Sequence, residues 1–209
     1  MCPAAPRPAS TVVLLRPSAA RFDVFLVRRH DSVAFMGGAH VFPGGRVDEE
    51  DQAATLDARH RLAAVRELRE EAGVAVAPSA LVPFAHWVTP DIENKRYDTW
   101  FYVAPMPDAQ TATHDGVENS DSMWIDPADA LAFCERGEIG LPPPTWVTLQ
   151  RLASFASVED VMAWARAVHV VRIQPTIEER DGIKRLTVRG DPPMRFVIER
   201  GRWVIERNA

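Results

Sequence analysis

Residues 62–74, which read L-A-A-V-R-E-L-R-E-E-A-G-V, constrain the fold more than any other part of the sequence. Glu67, Glu70 and Glu71 fall together, because residues three and four apart are neighbours on a helix surface. Gly73 follows the last turn, where a left-handed C-cap is common. The pattern predicts a helix from about residue 59 to residue 72 that presents three carboxylates in one patch. The apolar residues recur every three or four positions along another side of this helix: they are Leu62, Val65, Leu68 and Ala72.

Three carboxylates in one patch repel each other unless a positive charge lies among them. Hard divalent cations supply such a charge and prefer oxygen ligands. The alternative is a solvated acidic surface, which describes most glutamate-rich helix faces. Two features favour a metal site. Arg66 lies one residue before Glu67 and four before Glu70, where it can orient a carboxylate, and residues 42–45 (F-P-G-G) form a turn that lets backbone approach a ligand.

Residues 66–74 (R-E-L-R-E-E-A-G-V) match without a mismatch the second half of the Nudix box, R-E-U-x-E-E-x-G-U, in which U is apolar. Residues 42–45 resemble its usual opening. The full box, G-x5-E-x7-R-E-U-x-E-E-x-G-U, would place its glycine at Gln52 and its first glutamate at Ala58. The Gly-Gly pair instead lies seven residues before Gln52, so the loop carries an insertion. The candidates to replace the missing glutamate are the acidic residues nearby: Asp48, Glu49, Glu50, Asp51 and Asp57.

The resemblance to the Nudix hydrolase superfamily implies an α/β/α sandwich that hydrolyses a nucleoside diphosphate linked to another moiety, with Mg²⁺ or Mn²⁺ as cofactor. It implies that Arg66 orients a glutamate of the box. The catalytic base is then a box glutamate, Glu67 or Glu70, or an acid on a distant loop, for which Glu118 is the candidate. The implied metal ligands are three side chains and one backbone carbonyl: Glu67, Glu70, Glu71 and Gly44.

Substrate contacts are expected around the glycine turn. Arg29 and His40 flank this turn, where a diphosphate would lie beside Gly45. Arg96 is another candidate, since a guanidinium can grip a phosphate through two hydrogen bonds. An exposed loop arginine without a ligand is the alternative reading of Arg96.

Two further segments are similar to the peroxisomal coenzyme A diphosphatase branch and its bacterial relatives. They are residues 35–45 (F-M-G-G-A-H-V-F-P-G-G), followed by the inserted loop, and residues 96–101 (R-Y-D-T-W-F). That branch implies coenzyme A or an acyl-CoA as substrate, cleaved to 3′,5′-ADP and a 4′-phosphopantetheine product. ADP-ribose, a nucleotide sugar and a dinucleotide polyphosphate are the alternatives within the class. A Nudix-shaped module that senses a nucleotide without cleaving it, and a purely partner-binding domain, are alternatives from other classes.

Net charge, cysteine content and the lack of long apolar stretches limit the binding partners and the cellular compartment that we expect. The net charge of −5 argues against nucleic acid or an anionic membrane as the main partner. Cys2 and Cys134 give no disulfide framework, so a reducing cytoplasm is the default. The N-terminus lacks the apolar core of a signal peptide, and no stretch approaches the roughly 18 apolar residues of a membrane-spanning helix. We therefore expect a cytoplasmic protein that acts on a small nucleotide-derived molecule.

The order of the predicted elements indicates a Nudix domain over residues 10–155, preceded by a loose segment at residues 1–9. Alternating strands and helices in this domain predict a mixed sheet with helices on both faces. Residues 156–209 are expected to pack on the same domain as a helix and a small antiparallel β add-on, which either joins the main sheet or forms a homodimer contact. The predicted strands are 11–15, 22–27, 74–76, 81–89, 99–104, 122–125, 170–173, 184–188, 194–199 and 203–205, and the later helices are 126–134, 146–155 and 158–168.

Overall fold

The structure, a computed structural model, describes residues 4–32, 36–93, 95–180, 182–190, 193–199 and 202–206. The strands of the central sheet are β1 (Arg7–Pro17), β2 (Phe22–Arg29), β3 (His40–Val41), β4 (Gly44–Arg46), β5 (Val82–Val88), β6 (Tyr97–Pro105), β7 (Asn119–Ile125) and β8 (Arg172–Ile173). A second sheet contains β9 (Thr176–Arg180), β10 (Ile183–Val188), β11 (Met194–Glu199) and β12 (Arg202–Ile205). The α-helices are α1 (Leu56–Ala72), α2 (Pro127–Glu135), α3 (Pro143–Leu152) and α4 (Val158–Ala167).

The central sheet is mixed, with the strand order β3-β2-β1-β6-β5-β8, and with β4 beside β1 and β7 beside β2. β1 runs parallel to β6, and β5 runs parallel to β8. The inner strands are apolar at consecutive positions, which is typical of a sheet that is covered on both faces. In β1, Val12 and Leu14 pack on one face, whereas Val13 and Leu15 pack on the other.

Helices cover the two faces of this sheet unequally. Ala64 and Leu68 of α1 join the core cluster that contains Val12 and Leu14. α2, α3 and α4 contribute to the opposite cluster, around Val13 and Leu15. This layering confirms the predicted α/β/α sandwich with a mixed sheet. None of the helices in the described part of the chain is long and apolar enough to cross a membrane.

Helix α1 begins three residues earlier than predicted and ends where predicted. The Thr55 side chain caps its first turn by accepting a 3.2 Å hydrogen bond from the Ala58 N–H. Gly73 takes a left-handed φ of 68° and donates its N–H to the Arg69 carbonyl. The buried side is rotated relative to the prediction, because Leu62 and Val65 are only half-buried. The side that packs on the sheet comprises His60, Ala63, Ala64, Leu68, Glu71 and Ala72.

Three predictions about local structure were wrong. Residues 7–9 are not loose but begin β1, where Arg7 pairs in register with Tyr97 of β6. Residues 74–76 form no strand, because the chain leaves the helix cap and reaches β5 through a short 3₁₀ turn at Pro78–Ala80. In the tail, β8 adds to the central sheet rather than to the small one, and β9, which was not predicted, takes its place in the small sheet. These differences all depend on which distant strand supplies the partner.

The four strands β9–β12 confirm the predicted C-terminal antiparallel add-on. This sheet packs on the face of the central sheet that carries α2–α4, through Leu186, Val188 and Phe196 in the same core cluster. The ring of Phe196 meets that of Trp146 edge to face, with the centroids 5.5 Å apart. An aromatic contact of this kind adds specificity to the burial of apolar area. The small sheet is therefore docked on the central domain by a continuous apolar core.

Candidate active site

The glycine turn and helix α1 meet at the edge of the central sheet. β4 pairs with β1 so that Gly44 lies opposite Thr11. The Gly44 N–H donates a 2.8 Å hydrogen bond to Oε2 of Glu71. A Cβ on Gly45 would lie within 2.6 Å of both carboxylate oxygens of Glu67. The turn therefore faces two of the three helix glutamates, and only glycine leaves room for the carboxylate at this point.

The three glutamates of α1 have different environments. Glu71 is 4% exposed, and burial raises its pKa to about 7, although the Gly44 N–H favours the charged form. The Asn119 side chain faces this carboxyl and also favours its charge, although its amide lies outside ordinary hydrogen-bond geometry. Burial also raises the pKa of Glu67, while the adjacent Arg66 opposes that shift. Glu70 projects from the helix and is 57% exposed. The exposure of the three carboxyl groups therefore differs, from the buried Glu71 to the solvated Glu70.

Arg66 is the hub of the glutamate patch. Its Nη1 donates to Oε1 of Glu67 at 2.9 Å and to Oε2 of Glu70 at 3.0 Å. Its Nη2 and Nε donate to the two carboxylate oxygens of Asp51 at 3.0 and 3.2 Å, and Nη2 also reaches the Arg46 carbonyl. The hydrogen bonds to Asp51 are the largest cause of a raised pKa for Arg66. Arg66 therefore contacts both Glu67 and Glu70, the two glutamates that its spacing in the sequence suggested.

Asp51 is the acidic residue that meets Arg66 where the box glutamate is missing. It is 3% exposed, and its carboxylate also accepts the Asp48 N–H at 2.8 Å. The other candidates are less engaged, since Glu50 and Asp48 approach Arg66 only to 3.8 Å. Asp57 pairs with Arg61 on the exposed side of α1. The inserted loop therefore supplies one carboxylate to Arg66, from a position 15 residues earlier in the chain.

A cavity of about 930 Å³ opens beside this patch. Among the predicted site residues, those that line it are Arg29, Gly44, Gly45, Arg66, Glu67, Glu70 and Glu118. Glu118 lies on the exposed turn before β7, and its charge contributes to the raised pKa of Glu67. Arg29, at the end of β2, lies near enough to Glu71 to favour its ionised form. The structure thus brings together an arginine and an acid that are distant from the box in sequence.

Two predicted substrate contacts lie elsewhere. His40 is buried and does not line the cavity, although Ala39 and Val41 on either side of it do, because successive residues of a strand point to opposite faces. Burial, and secondarily the charge of Arg28, lowers the pKa of His40 to about 4. Arg96 is also buried.

The hydrogen bonds of Arg96 account for its burial. Its guanidinium donates to the carbonyls of Ala4 and Thr89 and to the Asp91 carboxylate. It therefore ties the N-terminal segment to the loop between β5 and β6, and it is not placed to grip a phosphate in the cavity.

The donor set fits a hard divalent cation. Oxygen atoms of two buried or half-buried carboxylates adjoin the glycine backbone, and carboxylate oxygen is the ligand that such cations prefer. In the described residues no group of three or more His, Cys, Asp or Glu side chains converges in a metal-binding arrangement. The three glutamates are instead hydrogen-bonded within the protein: Glu67 and Glu70 accept from Arg66, and Glu71 accepts from the Gly44 N–H.

Sequence reasoning did not find the far wall of the cavity. Residues of the C-terminal sheet line it, among them Ile177, Lys184, Leu186 and Trp203. Their only signal in the sequence is the alternation of apolar and polar residues, which fixes the face of a strand but not what that face meets. The wall became visible only once the docking of the small sheet was known.

The two glycines are expected to respond differently to alanine. Gly45→Ala should lower kcat/KM about 100-fold with little change in Tm, because the new Cβ displaces the flexible Glu67 carboxylate. Gly44→Ala should instead destabilise the fold by about 2 kcal/mol, because its Cβ would lie 2.7 Å from the Thr11 Cα and overlap the Ser10 carbonyl. Thermal melts and steady-state kinetics on both variants check this. Equal losses of Tm in the two variants would contradict it.

Comparison with known proteins identifies the family to which this sequence is similar. The Nudix domain profile matches residues 5–145. The human acyl-coenzyme A diphosphatase NUDT19 is 25% identical over 240 residues, which cover 69% of this chain and 64% of that protein. The chain spans 60–64% of the length of the first curated relatives that it matches.

Two solved structures share the fold. A NUDIX hydrolase from Alicyclobacillus acidocaldarius superimposes with a TM-score of 0.68 at 23% identity, over 77% of this chain and 96% of that chain. The NUDIX domain of Shewanella oneidensis NrtR, complexed with ADP ribose, gives a TM-score of 0.54 at 21% identity, over 71% and 86% of the two chains. Since the profile covers most of the chain and includes the glycine turn and α1, the chain belongs to the Nudix family.

Proposed function

We propose that this chain is a divalent-metal-dependent diphosphohydrolase that cleaves a nucleoside diphosphate linked to another moiety. Coenzyme A or an acyl-CoA is the leading substrate, giving 3′,5′-ADP and a 4′-phosphopantetheine product. The observation that carries this proposal is one cavity lined by Glu67, Glu70 and Glu118 together with Arg29. The substrate class is supported by the likeness to the human acyl-coenzyme A diphosphatase.

Glu67, Glu70, Glu71 and the Gly44 carbonyl would hold Mg²⁺ or Mn²⁺. When bound, such an ion neutralises the diphosphate and makes water a better nucleophile at neutral pH. Arg66 keeps Glu67 and Glu70 in position through its hydrogen bonds of 2.9 and 3.0 Å. Its own orientation is fixed from behind by the buried Asp51 carboxylate.

The remaining residues of the cavity bind the phosphates and move the proton. Arg29 places a guanidinium against the diphosphate, which it can grip through two hydrogen bonds. Hydrolysis adds water across a P–O bond, so one proton must leave the water as its oxygen bonds to phosphorus. Glu67, Glu70 and Glu118 are the candidate acceptors of this proton, since all three line the cavity.

A panel of diphosphate substrates tests the proposal. The chain is incubated with coenzyme A, octanoyl-CoA, ADP-ribose, a nucleotide sugar and a dinucleotide polyphosphate, each with Mg²⁺ or Mn²⁺, and the products are separated by chromatography. Release of 3′,5′-ADP from the coenzyme A compounds is the expected result. Preferential release of AMP from ADP-ribose would instead identify ADP-ribose, the ligand bound to the Shewanella oneidensis domain, as the favoured substrate. Tight binding of one compound without cleavage would favour a nucleotide sensor.

Metal binding is expected to stabilise the protein more at pH 8 than at pH 5.5. The folded pKa of Glu71, about 7, is above its ordinary value of 4.5, so metal-free stability falls as pH rises between these values. A divalent cation binds only the ionised carboxylate, and its effect therefore grows over the same window. Saturating Mg²⁺ should raise Tm at pH 8 by roughly 5 °C. Differential scanning fluorimetry measures both effects.

Glu71→Gln is the matched variant for this experiment, since a carboxamide oxygen can still accept the Gly44 N–H. It should flatten the pH dependence of Tm and remove most of the Mg²⁺ shift. A Mg²⁺ shift that is unchanged in Glu71→Gln would exclude Glu71 from the metal site.

A further inference from the structure

The C-terminal sheet has two unlike faces, which follow from its register. Leu186 of β10 pairs directly with Ile177 of β9, and Ile198 of β11 pairs with Trp203 of β12. Directly paired residues point to the same side of a sheet, as do alternate residues along a strand. The inner face, as we define it here, comprises Ile177, Glu179, Lys184, Leu186, Val188, Met194, Phe196, Ile198, Trp203 and Ile205.

Only part of the inner face is used for folding. Val188 and Phe196 lie in the main core and are 2% and 1% exposed. Farther along the same face, the residues that line the cavity are Ile177, Lys184, Leu186, Ile198 and Trp203, of which Leu186 also belongs to the core cluster. Ile198 leaves 41% of its surface exposed there. The sheet thus extends an apolar face beyond the core that it helps to build.

The rest of the cavity is complementary to this face. Trp87 and Phe101 of the central sheet and Leu141 line it as well, together with the prolines at 142–144. α1 packs on one face of the central sheet, whereas β9–β12 pack on the other. The acidic patch and the apolar wall therefore reach one cavity from opposite sides. One side of the cavity therefore offers carboxylates and an arginine, whereas the other offers a mainly apolar wall whose charged residue from the inner face is Lys184.

The wall is also held in place. Nη1 of Arg202, at the start of β12, donates a 2.7 Å hydrogen bond to the Gly137 carbonyl, in the connection between α2 and α3. Phe196 fixes the neighbouring strand against Trp146 of α3. A wall that is ordered before the ligand arrives loses less conformational entropy on binding.

We propose that the inner face of the C-terminal sheet binds the non-nucleotide moiety of the substrate, and that this moiety is extended and largely apolar. This rests on the proposed function for the diphosphate that anchors the other end. The pantetheine arm and acyl chain of a coenzyme A thioester have this chemistry. The sugar of a nucleotide sugar does not, because its hydroxyls would lose water against Ile198 and Trp203 without gaining hydrogen bonds. Selectivity for the substrate then comes from strands that lie after the residues matched by the Nudix domain profile.

Ile198→Ser and Ile183→Ser form a matched pair of variants that tests the proposal. Ile183 lies on the same sheet and is 43% exposed, close to the 41% of Ile198. It points to the outer face, since it precedes Lys184 of the inner face, and it does not line the cavity. Both variants remove the same apolar surface from a partly exposed strand position, so their effects on stability should be alike. Only the loss at Ile198 faces the cavity.

Calorimetric Kd values for octanoyl-CoA, coenzyme A and ADP-ribose are measured with each protein in the presence of Ca²⁺. In the wild type, octanoyl-CoA should bind more tightly than coenzyme A. Ile198→Ser should weaken octanoyl-CoA binding about tenfold, since about 1.4 kcal/mol of apolar contact corresponds to that factor. Its Kd for ADP-ribose should change less than twofold. Ile183→Ser should change neither, and Ile198→Leu should retain the binding of octanoyl-CoA.

Two results would overturn the proposal. One is equal affinity of the wild type for coenzyme A and octanoyl-CoA, and the other is an equal loss of octanoyl-CoA affinity in the two serine variants. The binding assay separates this inference from the proposed function. If the chain binds octanoyl-CoA through Ile198 but cleaves no diphosphate, the proposed binding face is supported and the proposed hydrolase activity is contradicted. If the chain cleaves substrates of the panel but Ile198→Ser leaves the affinity for octanoyl-CoA unchanged, the hydrolase activity is supported and the binding face is contradicted.

Discussion

Replacing Glu70 by glutamine is expected to lower kcat by about 1,000-fold and to leave Tm within a degree of the wild type. Glu70 is 57% exposed, and its ion pair with Arg66 on the helix surface contributes about 0.5 kcal/mol or less. Its carboxylate nevertheless lines the cavity beside Glu67, where the proposed function requires a negative oxygen to hold the metal or to accept a proton. The large effect is thus on chemistry and the small effect is on folding.

Asp57→Asn is the matched control for this substitution. Asp57 lies on the same helix, is 62% exposed and pairs with Arg61 four residues away at 3.0 Å, as Glu70 pairs with Arg66. The two amide variants therefore remove equivalent surface ion pairs, and Asp57→Asn should keep full activity. If Glu70→Gln retains more than a tenth of the wild-type kcat, Glu70 has no part in the mechanism.

Glu118→Gln in the same assay identifies the base. Loss of rate with an unchanged Mg²⁺ shift in Tm assigns Glu118 to the proton. Loss of both in Glu70→Gln assigns Glu70 to the metal. Should Glu118→Gln keep the wild-type rate, the proton acceptor is a glutamate of α1.

Local sequence predicted helix α1 and the closeness of Glu67, Glu70 and Arg66, because the helix period places these side chains without reference to the rest of the chain. The left-handed cap at Gly73 is local in the same sense. Roles that depend on long-range packing were harder to predict. Arg96 has the residue type of a phosphate ligand, but a carbonyl at Ala4, far away in sequence, accepts its hydrogen bond instead.

The position of His40, like that of Arg96, depends on long-range packing that its local sequence did not reveal. Its neighbours in sequence, the glycine turn and Phe42, adjoin the cavity, but the two-residue strand β3 pairs it with Arg28 and turns its side chain away. Because successive residues of a strand point to opposite faces, nearness in sequence to a site gives no assurance of facing it. Which side a residue faces was fixed only by the strand partner, which the sequence did not reveal.

The sequence offered five acidic residues as replacements for the missing box glutamate, and in the structure Asp51 is the one that is buried against Arg66. The loop between Gly45 and α1 has no regular period, so its path could not be predicted. In the folded chain its backbone turns at Asp48, whose N–H binds the Asp51 carboxylate, and presents that carboxylate to Arg66. The inserted loop thus supplies a buried partner for Arg66 that its length and composition alone did not identify.

Asp51→Ala is accordingly expected to destabilise the protein by about 3 kcal/mol. Asp51 is 3% exposed and accepts hydrogen bonds from Nη2 and Nε of Arg66, so its removal leaves a half-buried guanidinium short of a partner and the Asp48 N–H without its acceptor. Urea unfolding followed by circular dichroism measures the loss. Activity should also fall, because Arg66 then has no fixed support from which to orient Glu67.

Glu50→Ala is the control, because it removes the adjacent carboxylate of the same loop. Glu50 is 72% exposed and approaches Arg66 only to 3.8 Å, so its loss should change the free energy of unfolding by less than about 0.5 kcal/mol. The contrast between the two neighbours isolates the buried pair from the general acidity of the loop. Equal destabilisation by Asp51→Ala and Glu50→Ala would mean that α1 is supported by the diffuse negative charge of the loop, and that Arg66 needs no specific replacement for the missing glutamate.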